Sequence, residues 1–254
     1  MTNIDSVAPL LAVEGLSKRY GETVALSDVG IAFAAGGVHA ILGENGSGKS
    51  TLVKLLSGVT LPDDGVIRLA GRRFPGANPA AFAASGFATV FQEVLIAPDR
   101  NVVDNVLLGL DGPWRRIIPR SEREDRVAAV LATIARTPVP LHGRAGSLPL
   151  AQQQLVVIAR ALVREPAILI LDEVTAALDH ADREAVFSEI ERRAGGGALI
   201  LFISHRMDEV LRLSDRLSIL RGGQLVKTLD RGEASVEELL GLMAPVRIEE
   251  AANG

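Results

Sequence analysis

The chain has 254 residues, no cysteine and a formal net charge of −4. Absent thiols exclude disulfides and thiolate metal sites, and they permit a reducing compartment. An acidic balance with no long basic run argues against a general nucleic-acid binder, while a hydrophobic fraction of 48% is enough to bury a sizeable core.

In chain order, residues 1–11 lack the basic-then-apolar order of a secretory signal. Short apolar runs at 10–14, 23–29 and 38–42, set off by glycines, read as strands. A glycine-rich loop follows at 43–48, and 49–58 reads as a helix closed by Gly58. The segment 61–71 contains Pro62-Asp63-Asp64-Gly65, a turn feeding a strand, and 87–91 is a further buried strand. From about 97 to 163 the pattern becomes helical, with periodic runs at 102–108, 121–136 and 151–163. Breaks fall at Gly112-Pro113 and around Pro138 and Pro140. Strand–helix alternation then resumes, with strand 167–171, helix 181–193, strand 198–203, helix 207–213, strands 216–221 and 224–229, and helix 235–243. The longest apolar runs, 167–171 and 198–203, fall far short of the roughly 20 residues of a membrane span and read as strands inside a central sheet. The chain itself is therefore expected to be soluble. This alternation favours a mainly parallel sheet flanked by helices. The expected organisation is one α/β domain over 8–245, with a helical subdomain inserted at 97–163 and a tail at 246–254.

The strongest chemical signal is Gly43-Glu44-Asn45-Gly46-Ser47-Gly48-Lys49-Ser50-Thr51, which fits G-x-x-x-x-G-K-[ST] between a strand and a helix. Glycines let consecutive N–H groups turn inward around phosphate oxygens, and the following helix N-terminus adds partial positive charge. Lys49 is expected to reach the β- and γ-phosphates and the Ser50 hydroxyl to hold Mg²⁺. The second signal is Ile168-Leu169-Ile170-Leu171-Asp172-Glu173, an apolar strand that delivers two carboxylates at its C-terminal end. Ligands of open α/β sheets collect there. Asp172 is suited to orienting Mg²⁺ through its water shell, and Glu173 to polarising the water that attacks the γ-phosphate. Read alone, the pair would serve equally as an acidic strand end capping a helix. His205, in Leu201-Phe202-Ile203-Ser204-His205-Arg206, ends the next strand and can face the same pocket; a lone histidine there would otherwise be structural.

Together these motifs resemble the ATP-binding cassette (ABC) family over about 10–243. The resemblance implies a P-loop NTPase core with an N-terminal antiparallel β part and a helical insert, hydrolysing ATP with Mg²⁺. It places Tyr20, in Lys18-Arg19-Tyr20-Gly21, where the family stacks an aromatic ring on adenine, the other reading being a packing tyrosine. Gln92, in Val90-Phe91-Gln92-Glu93, matches the loop that senses Mg²⁺ and attacking water and couples to a membrane partner; otherwise it is a polar strand end. Asp179, in Ala176-Ala177-Leu178-Asp179, matches the loop that communicates across the ATPase dimer, and His205 takes the switch role at the γ-phosphate. Val174 stands where the family usually has proline.

The family signature, usually Leu-Ser-Gly-Gly-Gln, reaches across a head-to-tail dimer to the partner's γ-phosphate. Here it is matched by Leu148-Pro149-Leu150-Ala151-Gln152, in register with Gln153-Gln154 and the following helix. Pro149 offers neither hydroxyl nor amide hydrogen, and Ala151 adds a Cβ near the ligand. As a plain structural residue, Pro149 suits a helix start. The implied chain has a complete Walker-type half-site and a weak signature, paired with itself or, more suitably, with a non-identical cassette.

Local stretches such as Gly43-Glu44-Asn45, Phe91-Gln92-Glu93 and Ser204-His205-Arg206-Met207 look like the ATPases of ribose- and galactose-type sugar importers, which usually carry two cassettes in one chain. That likeness implies transmembrane permease subunits as partners, an extracytoplasmic solute-binding protein acting indirectly, no nucleic acid, and a peripheral place on the cytoplasmic face of the inner membrane. The other readings are an ABC importer or exporter for a different cargo, and a soluble ABC ATPase acting on nucleic acid or ribosomes. The latter typically adds a long coiled coil, a zinc-bearing insert or a basic linker, and the sequence shows none of these. A small-molecule P-loop kinase would explain the first motif but neither the signature helix nor His205.

Overall fold

The computed structural model describes residues 9–74, 78–110 and 119–244. The expected tail at 246–254 and the break at Gly112-Pro113 lie outside the described residues. The N-terminal part forms β1 (Leu11–Tyr20), β2 (Thr23–Phe33), β3 (Gly37–Leu42), α1 (Lys49–Leu56), β4 (Asp64–Leu69), β5 (Arg72–Arg73), α2 (Pro79–Ala84) and β6 (Phe87–Val90). Three helices follow, α3 (Val102–Val106), α4 (Arg120–Ile134) and α5 (Leu150–Leu162), where the helical insert is expected. The rest alternates: β7 (Ile168–Asp172), α6 (His180–Gly195), β8 (Leu199–Ile203), α7 (Met207–Leu213), β9 (Arg216–Arg221), β10 (Gln224–Asp230) and α8 (Val236–Met243).

Two sheets result. One has the order β2-β1-β4-β5 and is antiparallel; the other has the order β10-β9-β3-β8-β7-β6 and is parallel except for β10 at its edge. The apolar runs of β7 and β8 require cover on both faces, and successive side chains supply it in alternation. Ile168, Ile170, Leu199 and Leu201 pack with α1 and the antiparallel sheet through Leu52, Leu55, Leu16 and Phe33. Leu169, Leu171, Ile200 and Phe202 pack with α5 and α6 through Leu155, Val186, Phe187 and Ile190. Each such fully buried side chain contributes about 1.5–3 kcal/mol.

The structure departs from the sequence pattern at four places, the first being β2, which runs on to Phe33 rather than ending at residue 29. β1 continues to Tyr20 rather than ending near residue 14, because it pairs with both β2 and β4; register shifts between Val13 and Lys18 erase the alternation that would reveal it. β5 is two residues long, too short for any period. α2 opens with a helix-start signal: Asn78 accepts a hydrogen bond from the Ala81 N–H at 3.0 Å and Pro79 is the first helical residue. Its single turn and a half carries no readable apolar stripe.

The helical insert is braced by a buried amide, and Arg160 beside it reaches Leu95 just outside the insert. Asn105 Oδ1 accepts from the Ala97 N–H (2.7 Å), and Nδ2 donates to the carbonyls of Ala97 and Asn101 (both 3.0 Å). Arg160 of α5 donates to the Asn105 carbonyl (2.7 Å), to Asn105 Oδ1 (3.2 Å) and to the Leu95 carbonyl (2.7 Å). Truncation to Asn105→Ala strands the Ala97 amide and part of Arg160 in a dry site, which costs about 2–4 kcal/mol. The melting temperature should fall by about 4–15 °C. Arg120→Ala, which removes an exposed pair with Glu124, should shift stability by less than about 0.5 kcal/mol; equal losses from the two changes would contradict this account.

Candidate functional site

β3 ends in the buried Leu42, and the chain must turn sharply before α1 begins. Two glycines make the turn feasible. At Gly43 (φ 153°) a Cβ would sit 2.3 Å from the Leu220 carbonyl oxygen. At Gly48 (φ 108°) it would meet Leu26 Cδ2 at 2.6 Å and the Ala25 carbonyl at 2.8 Å. The loop is thus pressed against β2 and β9, and only backbone without side chains fits. The β9–β10 turn clasps it from outside: the Gly223 N–H donates to the Ser47 carbonyl (3.1 Å), and the Ser27 N–H donates to the Gly223 carbonyl (2.8 Å).

No side chain caps α1 at Gly48, so the first-turn N–H groups are available to an anion. Lys49 is buried, and its Nζ donates to the carbonyls of Gly43 (2.7 Å) and Glu44 (2.9 Å). Burial holds the ammonium pKa below its usual value, opposed by the charges of Glu173 and Asp172. The buried Ser47 Oγ finds no hydrogen-bond partner among the described residues.

The acidic pair lies opposite. Asp172, the last residue of β7, is buried; that burial and then the neighbouring Glu173 push its carboxyl up from 3.8 to about 6, against the pull of Lys49 and Lys54. Glu173 has a left-handed φ of 50°, a strained conformation for a non-glycine residue, with its N–H donating to the Ile203 carbonyl (2.9 Å). Its Oε2 accepts from Gln92 Nε2 at 3.1 Å, and its Oε1 lies 3.3 Å from His205 Nδ1. Strand order explains the meeting. β6, β7, β8 and β3 are consecutive neighbours, so the loops carrying Gln92, Glu173, His205 and the glycines leave the same edge of the sheet. Residues 45–51, Gln92, Glu173 and His205 enclose a cavity of about 540 Å³ together with Thr23, Val24 and Ala25 of β2.

Other expected residues lie outside that wall. Tyr20 is 46% exposed at the end of β1, with Lys18 Nζ 5.7 Å from its ring centre. Glu44 faces a second cavity, of about 460 Å³, on the far side of the loop, beside Arg221, Gln224 and Met243. The 148–152 stretch does not line the cleft: Leu148 is buried, Pro149 is the N-cap of α5, Leu150 is exposed, and Ala151 and Gln152 are half-buried. Gln153 Nε2 donates to the Leu148 carbonyl at 2.7 Å. Asp179 caps α6, accepting from the Asp182 N–H at 2.8 Å.

A family model described as ABC transporter matches residues 26–176, more than half of the chain. The chain belongs to the ABC transporter family. "Ribose import ATP-binding protein RbsA 1" of Rhizobium johnstonii is 40% identical over 92% of this chain and 46% of its own length. The protein of the same name from Mesorhizobium japonicum is 41% identical over 94% of this chain and 47% of its own. The chain thus spans about half the length of these relatives. Among solved structures, a nucleotide-free ATP-binding cassette from an ABC transporter superposes with a TM-score of 0.78 at 27% identity, covering 96% of this chain and 99% of that one. The ADP conformation of another ABC transporter cassette gives 0.76 at 27% identity, covering 92% and 94%.

Two features of this ABC transporter chain are not visible in its motifs. Residues 23–25 line the cleft, and Thr-Val-Ala at a strand start carries no chemical signature. Glu209, in the first turn of α7, is buried against the loops that carry Glu173 and His205; a glutamate there ordinarily reads as a solvated charge complementing the helix dipole.

The raised Asp172 carboxyl generates a pH prediction for protein freed of nucleotide and metal. Its folded pKa of about 6 exceeds the unfolded 3.8, so the stability this group contributes is full below about pH 4 and lost as pH rises through about 6. Asp172→Asn removes that dependence. Between pH 4 and 7 the variant should gain on the wild type by on the order of 2–3 kcal/mol, read as diverging melting curves; parallel curves would rule out the assigned burial of charge.

Proposed function

We propose that this chain is the ATP-binding and ATP-hydrolysing cassette of an ABC importer whose cargo is a sugar-type solute. The observation that carries the reading is the meeting of Lys49, Gln92, Glu173 and His205 around one cleft at the C-terminal edge of the sheet. Its likeness to ribose import ATP-binding proteins supports the cargo class.

In this reading the amides of 43–48, with Lys49, Ser50 and Thr51, hold the β- and γ-phosphates, and the half-exposed Tyr20 ring stacks on adenine beyond residues 23–25. Glu173 polarises a water and takes up its proton as the water oxygen attacks the γ-phosphorus. The bond from that phosphorus to the ADP oxygen breaks, leaving ADP and phosphate. His205 passes from Glu173 Oε1 to the γ-phosphate, and Gln92 orients the water. The donors present fit Mg²⁺: the Ser50 hydroxyl, the Gln92 amide oxygen and, through water, Asp172, whose raised pKa marks a carboxylate that a nearby cation would relieve. When bound, that ion would draw charge off the β- and γ-phosphoryl oxygens.

The altered signature gives the cassette a direction. Pro149 lacks both the serine hydroxyl and the amide hydrogen that the family aims across its dimer, and Ala151 adds a Cβ beside them; the two lost donors cost on the order of 2–4 kcal/mol in the transition state. The chain would then contribute a full phosphate half-site but a weak trans half-site, which suits a non-identical second cassette more than a copy of itself. Asp179 would face that partner. Closure of the pair would push on transmembrane permease subunits through the surface near Gln92 and helices α3–α5, and an extracytoplasmic solute-binding protein would deliver the cargo. ATP drives the cycle by binding the closed state far better than the open one. Among the described residues no helix is long and apolar enough to cross a membrane; the permeases would hold the cassette at the cytoplasmic face of the inner membrane.

Titration of purified protein with Mg·ATP tests the reading. Lys49→Ala should weaken binding by about tenfold or more, and Glu173→Gln should keep binding while lowering turnover by about 10²-fold or more. Equal affinity in wild type and Lys49→Ala would refute the proposed site. For the asymmetry, Pro149→Ser with Ala151→Gly should raise ATP turnover of the isolated protein by about 10- to 10³-fold; vigorous wild-type turnover unaffected by the double change would remove it.

A further inference from the structure

Glu209 occupies a position where a helix usually shows its charge to water, yet it is 1% exposed. A buried carboxylate costs several kcal/mol unless its oxygens are matched. Here both are. Oε2 accepts from Thr175 Oγ1 at 2.7 Å and from Ser204 Oγ at 3.0 Å. Oε1 accepts from Arg206 Nη1 at 3.1 Å and lies 4.0 Å from Arg183 Nη1. Ser204 Oγ also accepts from the Arg206 N–H at 3.1 Å. Thr175 and Ser204 are themselves buried.

The origin of these partners is the informative point. Thr175 lies two residues beyond Glu173, Ser204 and Arg206 flank His205, and Arg183 belongs to the first turns of α6, the helix capped by Asp179. One carboxylate therefore joins the loops bearing the two side chains that meet in the cleft, without lining the cleft itself. A requirement for stability alone would be met as well by an apolar residue of similar volume, since buried ion pairs are often neutral or worse against such replacements. The strained backbone of Glu173 adds a second reason. A left-handed glutamate persists only where its surroundings over-determine it; the Glu173 N–H to Ile203 bond restrains its backbone from one side, and Thr175 anchored on Glu209 adds a further restraint two residues on.

We propose that Glu209 is a positioning residue that clamps the Glu173 loop to the His205 loop and so sets the contact between those two side chains. The inference rests on the ATPase reading above, and its test separates the two. On the purified chain, steady-state ATP turnover is measured alongside the NMR signal of the His205 imidazole, assigned by its loss in His205→Ala. Glu209→Gln should lower kcat by about tenfold, the worth of one well-made hydrogen bond, with KM for Mg·ATP changed less than about twofold. In a His205→Ala background the same change should cost less than about twofold, because the contact that the clamp sets between the two side chains is already gone. Thr175→Val keeps the side-chain shape, removes one donor, and should shift the His205 signal even if Glu209→Gln folds poorly. Unchanged kcat with an unmoved His205 signal in Thr175→Val, or equal fold-losses in both backgrounds, would overturn the clamp. If neither the wild type nor the Pro149→Ser, Ala151→Gly variant turns over ATP, the ATPase reading fails, and the His205 signal alone decides whether the clamp stands.

Discussion

The ammonium of Lys49 lies under its own loop, anchored on the carbonyls of Gly43 and Glu44, and faces the carboxylates of Asp172 and Glu173. Each of these charges would be expensive in isolation. Lys49 is pulled toward neutrality by burial, and Asp172 is pushed toward protonation by burial and by its neighbour. Mutual attraction only partly offsets both effects. The result is a site poised with excess negative charge behind the uncapped start of α1, an arrangement suited to holding a polyanion together with a cation.

What sets that distance is the parallel sheet. Three adjacent strands deliver Gln92, Glu173 and His205 at their C-terminal ends, and the glycine loop leaves from β3 on the far side of β8. Apolar alternation in β7 and β8 fixes both strands against helices on one side and the antiparallel sheet on the other. The loops can therefore be short and strained without losing position, as the left-handed Glu173 illustrates.

Much of this was readable from residue order. The 43–51 run and the Asp172-Glu173 pair stand out because phosphate binding demands glycines, lysine and carboxylates in an order that seldom arises otherwise. β7 and β8 were equally plain as apolar runs bounded by polar turns. Length and lining were harder. β1 hides its second half behind register shifts, and residues 23–25 reach the cleft through their place beside Gly48. Glu209 could not be found at all, because burial of a helix-start glutamate depends on partners scattered over three other segments. Tyr20 shows the opposite limit: a resemblance assigns it a role, while the structure leaves its ring half-exposed at the end of β1, apart from the residues that line the cleft.

β3 finds both of its ladder partners, β8 and β9, in the final third of the chain, and the Gly222-Gly223 turn that braces the glycine loop comes later still. During synthesis the glycine motif leaves the ribosome with β2 already made but before β8, β9 and the Gly222-Gly223 turn exist to brace it. A half-made polypeptide therefore carries the phosphate-binding letters without the grip. The set of contacts that braces the loop is complete only once the β9–β10 hairpin has been made.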